Sequence, residues 1–277
     1  MTAKHTLSRH RPSRLIEELW PREVLRAARA PGIVFIPVSP RFEWHGLHLP
    51  MGTDGIIAEA MAAELARRFK AVYFRVLPLG LDEVRTRAFK RMQGLPLDAH
   101  IFGMNYPTLP LPSEYCTRAT LTALLRARLA LVRTAGFRWA FVVNHHGGRD
   151  QNPTLEELTR MASSDDFGAA LLTVSRHCTL RLEGRQAQML RVGGHAGISE
   201  TIQLMAVRPE LVRTERLPQG RLSAALTGVM HNAPIVPAAY NPRHADARLA
   251  ARWRRNVLDN MTAAVRTLVA TRAGVVK

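Results

Sequence analysis

The sequence predicts an α/β fold, a three-layer α/β/α sandwich with a mainly parallel central sheet. Short apolar runs recur along the chain, and stretches with helical periodicity alternate with them. Polar and chemically reactive residues follow the apolar runs, as expected where loops leave the carboxyl ends of parallel strands. We see no interdomain linker, so residues 1–277 are interpreted as a single domain.

Each element of this fold is predicted from its own local pattern. Helices are predicted where apolar residues recur every three or four positions, at 14–30, 54–69, 120–135, 154–162 and 196–207. Strands are predicted for the apolar runs at 33–38, 72–77, 139–143 and 169–174. Residues 80–112 show no clear period and contain four prolines, so we interpret them as a lid or a subunit-contact arm.

Composition excludes several classes of protein. Cys116 and Cys178 are too few and too far apart for a disulfide framework or a cysteine-based zinc site. The net charge of +17 would suit an anionic partner. However, the arginines are scattered along the chain without a dense run, which indicates that most of them lie on solvent-exposed faces of helices. No apolar stretch is long enough to cross a bilayer. We therefore expect a cytoplasmic enzyme without a nucleic-acid or membrane partner.

The segment from Glu43 to Asp54 contains two carboxylates and two imidazoles directly after a predicted strand. Buried charged groups are costly unless a cation compensates them. Glu43 and His45 share a face in an extended stretch, because side chains alternate with a period of two. Asp54 begins the next helix, and its two oxygens are able to bridge a pair of cations. His146 follows another predicted strand and supplies a ligand from across the sheet.

Three motifs follow one another along the chain. They are Glu-x-His-Gly-x-His-Leu-Pro-x-Gly-Thr-Asp at 43–54, Asn-His-His-Gly-Gly-Arg at 144–149 and His-Ala-Gly-x-x-Glu-Thr at 195–201. The alternative, loop histidines and helix-capping carboxylates without chemistry, is disfavoured by this clustering. In these motifs, their order and their spacing, the chain resembles the creatininase (creatinine amidohydrolase) family, most clearly over residues 15–212.

The resemblance implies a creatininase-like fold and a metal-dependent amidohydrolase. Such an enzyme uses a hydroxide that bridges two divalent ions, zinc, manganese or iron, to hydrolyse a small cyclic amide, a formamide or a peptide-like C–N bond. The implied partner is a small-molecule amide substrate, and the implied assembly is a homo-oligomer. The metal ligands that it implies are Glu43, His45, Asp54, His146 and Glu200.

Within this set, the resemblance implies that Glu43 and His146 hold one ion, that His45 holds the other, and that Asp54 bridges them. Glu200 is either a ligand of the second ion or the base that acts on the bridging water. We also assign a catalytic role to His195, as a donor to the oxyanion or as the acid that protonates the leaving nitrogen.

Three residues are assigned to substrate binding: His48, His145 and Arg149. For His48, the alternatives are support of a metal ligand and packing of the loop. His145 and Arg149 replace a glycine and an asparagine of the family motif, so either the second loop has a different shape or it faces an anionic substrate. Alternatively, the chain is a catalytically weak homologue that acts as a binding or assembly protein. Creatinine-cutting members carry an acid where this chain has Gly148, so we expect poor activity on creatinine.

Overall fold

The computed structural model describes residues 13–181, 183–191 and 194–275. Its centre is a four-stranded parallel sheet with the strand order β2-β1-β3-β4. The strands are β1 (Ile33–Pro37), β2 (Val72–Tyr73), β3 (Trp139–Asn144) and β4 (Gly168–Thr173). The predicted single domain also includes residues 1–12, 182, 192–193 and 276–277, which lie outside the described residues.

Helices pack on both faces of this sheet. The larger ones are α1 (Pro21–Arg29), α2 (Thr53–Phe69), α4 (Arg118–Thr134), α5 (Gln151–Ala162), α7 (Ile198–Val207) and α9 (Ala247–Val275). The shorter ones are α3 (Arg87–Met92), α6 (Gly184–Arg191) and α8 (Ala224–Thr227). Among the described residues, no helix is both long enough and apolar enough to cross a membrane.

Strand β1 explains why the structure has three layers. Ile33 and Phe35 point into one core, against α2, α7 and α9, while Val34 and Ile36 point into the other, against α1, α4 and α5. All five residues of the strand are buried. A strand covered on both faces needs apolar residues at every position, which is the pattern that predicted it. The predicted α/β/α sandwich is therefore confirmed.

Element bounds differ from the predictions where local chemistry interrupts the pattern. The predicted helix 14–30 is a short 3₁₀ turn, Ile16–Glu18, followed by α1, which starts at Pro21, because proline is favoured at the first helical position. The predicted strand 72–77 pairs as a strand only at Val72–Tyr73. Helix α7 starts at Ile198 rather than at Ala196.

The long helix α9 was missed by the sequence analysis. Its buried face is formed by Leu249, Trp253 and Val257, which lie four residues apart on one side of the helix. Arginines between these positions lower the mean hydropathy of the segment, so the apolar face is difficult to recognise in the sequence. Trp253 is 1% exposed and packs with α2 and α7 beneath the sheet.

Residues 80–112, predicted as a lid or a subunit-contact arm, pack on their own chain. Leu95, Ile101 and Met104 form a small core with Trp44, which lies next to Glu43. Lys90, in α3, donates a hydrogen bond to the carbonyl of Ala99 over 2.9 Å and so ties the segment to itself. The segment therefore covers the loop that carries the first motif.

Candidate metal centre

The three motifs meet beyond the carboxyl ends of β1 and β3. From β1, the chain passes to β2 on one side of the sheet, while β3 and β4 extend the other side. Parallel sheets form a crevice where the direction of strand order changes, and ligands bind there. The loop after β1 carries Glu43 and His45, and the loop after β3 carries His145 and His146.

Glu43 is buried, and its two carboxylate oxygens have different surroundings. Oε1 accepts a hydrogen bond from the Tyr115 hydroxyl over 2.6 Å. Among the described residues, Oε2 has no hydrogen-bond partner, and it lies 3.4 Å from His146 Nδ1 and 3.8 Å from His45 Nε2. Burial alone would raise the pKa of Glu43, but the nearby charge of His146 lowers it to about 2. This carboxylate is therefore ionised, with one oxygen free to bind a cation.

Asp54 lies in the first turn of α2, where the helix dipole favours a negative charge. Its Oδ2 is 2.9 Å from His146 Nδ1, and its Oδ1 is 3.6 Å from His45 Nε2. Burial would raise its pKa, but hydrogen bonds from His145 and His146 hold the pKa well below its ordinary value. The two oxygens thus point toward different histidines, as a bridging carboxylate requires.

Backbone carbonyls define which nitrogen of each histidine faces the carboxylates. His45 Nδ1 donates to the carbonyl of Glu43 over 2.9 Å, so Nε2 is the nitrogen that points into the cluster. His146 Nε2 donates to the carbonyl of Leu81 over 2.9 Å, so Nδ1 points inward. A ligating histidine usually donates its other ring N–H in this way, which orients the ring.

The third motif brings Glu200 and His195 to the same cluster. Glu200 lies in the first turn of α7, and its Oε2 accepts a hydrogen bond from the backbone N–H of Ala196 over 2.5 Å. Ala196 has φ of 51°, so this bond holds a turn that a residue with a side chain seldom adopts. His195 packs against the ring of His45, with 4.3 Å between ring centroids, and its Nε2 donates to the carbonyl of Trp44 over 2.5 Å.

The described residues offer three overlapping sets of ligand atoms, with the atoms of each set within 4.8 Å of one another. The sets are Glu43, His45 and His195; Glu43, Asp82 and His146; and His45, Asp54 and Glu200. Imidazole nitrogens and carboxylate oxygens are ligands that zinc and manganese accept. His45 Nε2 and Glu43 Oε2 are buried, and neither has a hydrogen-bond partner among the described residues. A bound cation would be a partner for both atoms. The residues therefore fit a divalent metal.

The residues assigned to substrate binding lie in three different surroundings. His48 is buried, and its Nε2 lies 2.9 Å from Thr201 Oγ1, the residue after Glu200. Burial and the charge of His45 lower the pKa of His48 to about 3. His145 contacts Asp54 Oδ1 over 2.7 Å and Gln203 Oε1 over 2.5 Å. The side chain of Arg149 is 70% exposed and lies 3.2 Å from Glu83.

An open cavity of about 380 Å³ lies over the cluster. Glu43, Asp54, His146, His195 and Glu200 contribute to its wall. Arg85, Phe89 and Arg149 also line it, whereas His48 and His145 are not among the described residues that do. The cavity therefore gives a small molecule access to side chains from each of the three motifs.

The sequence analysis missed two residues that contact the cluster, Asp82 and Tyr115. Asp82 follows the predicted strand 72–77. Because ligands bind beyond the carboxyl ends of parallel strands, its position in the sequence could have identified it as a candidate. Tyr115 lies between two elements without a motif around it, and nothing in the sequence marks its hydrogen bond to Glu43. Asn144 was quoted as part of a motif, but its role was not predicted: its side chain donates to the carbonyl of His146 over 2.9 Å and shapes that loop.

A larger surface groove of about 640 Å³ lies between α4 and α5. Among the described residues that line it, Asp166 is the one carboxylate and there is no histidine. Arg126 and Arg133 flank it. Because this donor set is poor in metal ligands, the smaller cavity over the motifs is the candidate functional site.

We predict that Asp54→Ala removes both divalent ions from the purified protein, whereas Glu43→Ala weakens mainly one. The reason is that Asp54 directs one oxygen toward each histidine, and only a bridging ligand touches both ions. The measurement is metal content per chain after mild purification, with Asp54→Asn as a version that keeps the shape of the side chain. The exposed acid Asp166 is the control, and Asp166→Asn should retain the wild-type metal content.

We predict that affinity for manganese rises with pH between 6 and 8. Burial lowers the pKa of His45, but the nearby negative charges of Asp54 and Glu43 raise it to about 10, so a proton occupies the nitrogen that a cation needs. Each competing proton weakens binding about tenfold per pH unit below that pKa. His45→Gln should flatten the slope by one proton, and the remote His177→Gln should keep it. A pH-independent affinity in the wild type would contradict the assignment of His45.

Comparisons with known proteins give the family and the fold of this chain. A family model described as Creatininase: Creatinine amidohydrolase matches residues 17–265. The crystal structure of a creatinine amidohydrolase (creatininase) is 18% identical, with a TM-score of 0.64, over 92% of this chain and 97% of that one. A mutant creatininase of Zn-Zn type is 20% identical, with a TM-score of 0.63, over 93% and 98%. A structure described as Creatininase Mn is 18% identical, with a TM-score of 0.61, over 92% and 98%.

At these identities, the likeness to the solved structures shows the fold. The comparison with curated proteins gave no match. The family model, in contrast, extends over most of the chain and includes all three motifs. This chain therefore belongs to the creatininase (creatinine amidohydrolase) family.

Proposed function

We propose that this chain is a metal-dependent amidohydrolase that hydrolyses the C–N bond of a small amide at a two-metal centre. The observation that carries the proposal is the position of Asp54, with one oxygen 2.9 Å from His146 and the other 3.6 Å from His45. A carboxylate between two sets of ligands is the usual device of hydrolases that hold paired ions. Membership of the family supports the reaction class.

In this proposal, Glu43, His146 and Asp54 hold one ion, and His45, Asp54 and Glu200 hold the other. Zinc, manganese and iron all suit this set of oxygen and nitrogen ligands. When bound, two such ions lower the pKa of a shared water from about 15.7 toward neutrality and polarise an amide carbonyl. The cavity over the cluster admits the substrate.

The chain's own residues then move the protons. Glu200 accepts one hydrogen bond from the backbone of Ala196, and because each carboxylate oxygen has two lone pairs, the group is able to bind an ion and also to act as a base. His195 donates its Nε2 proton to the carbonyl of Trp44, which leaves Nδ1 to take up a proton and pass it to the leaving nitrogen. We assign the roles of base and acid to these two residues on that geometry.

His145 and His48 act through other residues in this proposal. His145 contacts both Asp54 and Gln203, so it holds the bridging carboxylate in place. His48 contacts Thr201 and so positions the turn of α7 that carries Glu200. The alternative function, a catalytically weak binding or assembly protein, was suggested by His145 and Arg149. The buried contacts of His145 with the centre do not favour it.

We also propose that the chain assembles as a homo-oligomer. Helices α4 and α5 present Leu124, Leu131 and Met161, which are 50%, 58% and 51% exposed. Leu124 and Leu131 lie seven residues apart and therefore on one face of α4, and contiguous exposed apolar surface is typical of protein contacts. Sedimentation of the purified protein tests this proposal.

We predict that Glu200→Gln lowers kcat for the amide substrate at least about a hundredfold with metal in excess, because an amide cannot act as a base. Glutamine retains the hydrogen-bond acceptor for Ala196, so the melting temperature should stay close to that of the wild type. The matched control is Glu210→Gln, an exposed acid on the chain that follows α7. If Glu200→Gln keeps more than about a tenth of the activity, its role is structural.

The cavity supports a substrate larger than creatinine. A volume of about 380 Å³ lies within the range typical of sites for drug-sized ligands, about 300–1,000 Å³. Arg149 at its mouth is paired with Glu83 on the surface, and such exposed pairs contribute only about 0–1 kcal/mol. Arg149 is therefore able to exchange Glu83 for a carboxylate or phosphate of the substrate.

We predict that kcat/KM for creatinine lies below about 10⁴ M⁻¹s⁻¹, the lower end of typical enzyme values. Assays with creatinine, a formamide and short peptides in neutral and anionic versions provide the measurement. Arg149→Ala should raise KM for an anionic amide and leave KM for its neutral counterpart unchanged. A creatinine value above that limit would refute the proposed substrate class.

A further inference from the structure

We propose that Asp82 is a ligand of the metal ion held by Glu43 and His146. The inference rests on the proposed function, because it requires that an ion binds there. One carboxylate oxygen of Asp82, one of Glu43 and one ring nitrogen of His146 all lie within 4.8 Å of one another. The Asp82 side chain is 4% exposed and lines the same cavity. Its position is that of a further ligand of this ion, beside Glu43, Asp54 and His146.

The residue before Asp82 is held tightly to the loop that carries His146. Leu81 donates its backbone N–H to Gln151 over 2.8 Å, and its carbonyl accepts from His146 Nε2 over 2.9 Å. Gly148 allows this approach, because a Cβ at that position would lie 1.9 Å from the Leu81 carbonyl oxygen. The distance between Asp82 and His146 is therefore set by backbone contacts on both sides.

Glu43 provides an independent observation that points to a ligand at this place. Its Oε2 is buried, in a side chain that is 1% exposed, and has no hydrogen-bond partner among the described residues. An ionised oxygen buried without a partner costs free energy, which a cation shared with Asp82 and His146 would offset. Tyr115 holds the other oxygen of Glu43 and so directs Oε2 into this space.

The existing contacts of Asp82 leave both of its oxygens able to bind an ion. Oδ2 accepts from Arg85 over 3.1 Å, and Oδ1 accepts from the backbone N–H of Glu83 over 2.8 Å. Each carboxylate oxygen has two lone pairs, so one remains on each. Arg85 in turn donates to the carbonyl of Gly103 over 3.0 Å, which orients the pair. Such support of a ligating carboxylate is common around metal sites.

With Asp82 included, the two ions have unequal protein environments. The ion at Glu43 has four protein ligands, which are Glu43, Asp54, Asp82 and His146. The ion at His45 has three, which are His45, Asp54 and Glu200. Four protein ligands are typical of closed sites and three of sites that keep a position for water or substrate. The first ion is then the more tightly held one.

The proposed role of Asp82 can be tested by calorimetric titration of the ion-free full-length protein with manganese. The wild type should bind two ions. Asp82→Asn should weaken one of them at least about tenfold and leave the other unchanged, because a neutral amide is a poor ligand for a hard cation. The matched control is Glu83→Gln, the next residue on the same loop, whose partner is the exposed Arg149. It should bind both ions with wild-type affinity.

The outcomes separate this inference from the proposed function. If the wild type binds two ions and Asp82→Asn binds both as tightly, Asp82 is structural and the inference is overturned, while the two-metal centre stands. If the wild type binds no ion, both are overturned. Asp82→Cys is the second variant, and a ligand role predicts a shift of preference from manganese toward zinc, since thiolates favour softer ions. An ion pair with Arg85 alone would produce no such shift.

Discussion

The burial of two ionised carboxylates, Glu43 and Asp54, against a group of histidines is the constraint on which the site depends. Their charges are buried at the end of a sheet whose strands are covered on both faces. Protons on His45 and His146 balance these charges in the ion-free protein, and divalent cations compete for the same nitrogens. Backbone carbonyls orient the two imidazole rings. The carbonyl of Glu43 accepts from His45 and that of Leu81 accepts from His146, so that the second nitrogen of each ring points toward the carboxylates.

Much of the fold was predictable from the sequence because each element carries its own pattern. The continuous apolar residues of β1 and the alternation of strands with amphipathic helices gave the α/β/α sandwich, and the motifs at strand ends gave the clustered ligands. Glu43 and Asp54 were predictable as neighbours because only a short loop separates them. Their approach to Glu200 depends on the packing of α7 against α2. No local pattern predicts this packing, so Glu200 was placed at the site only because its motif resembles that of the family.

The missed contacts depend on loops whose conformation no local pattern specifies. Tyr115 reaches Glu43 through the packing of residues 80–112 around Trp44 and Met104. His145 contacts Asp54 and also Gln203, which lies in α7. Because the position of α7 cannot be read from the local sequence, we interpreted the histidine at position 145 as a substrate-binding residue. Helix α9 was missed for a different reason: arginines between Leu249, Trp253 and Val257 lower the mean hydropathy although the buried face is continuous.

The contact between Gly148 and Leu81 links two loops that are far apart in sequence. Any side chain at position 148 would occupy the space of the Leu81 carbonyl, since a Cβ there lies 1.9 Å from that oxygen. An acid at this position would therefore require a different course of the backbone around Leu81, whose carbonyl orients His146. The two loops are coupled through this backbone contact. Chimeras that exchange one loop without its partner are accordingly expected to fail even when every motif residue is retained.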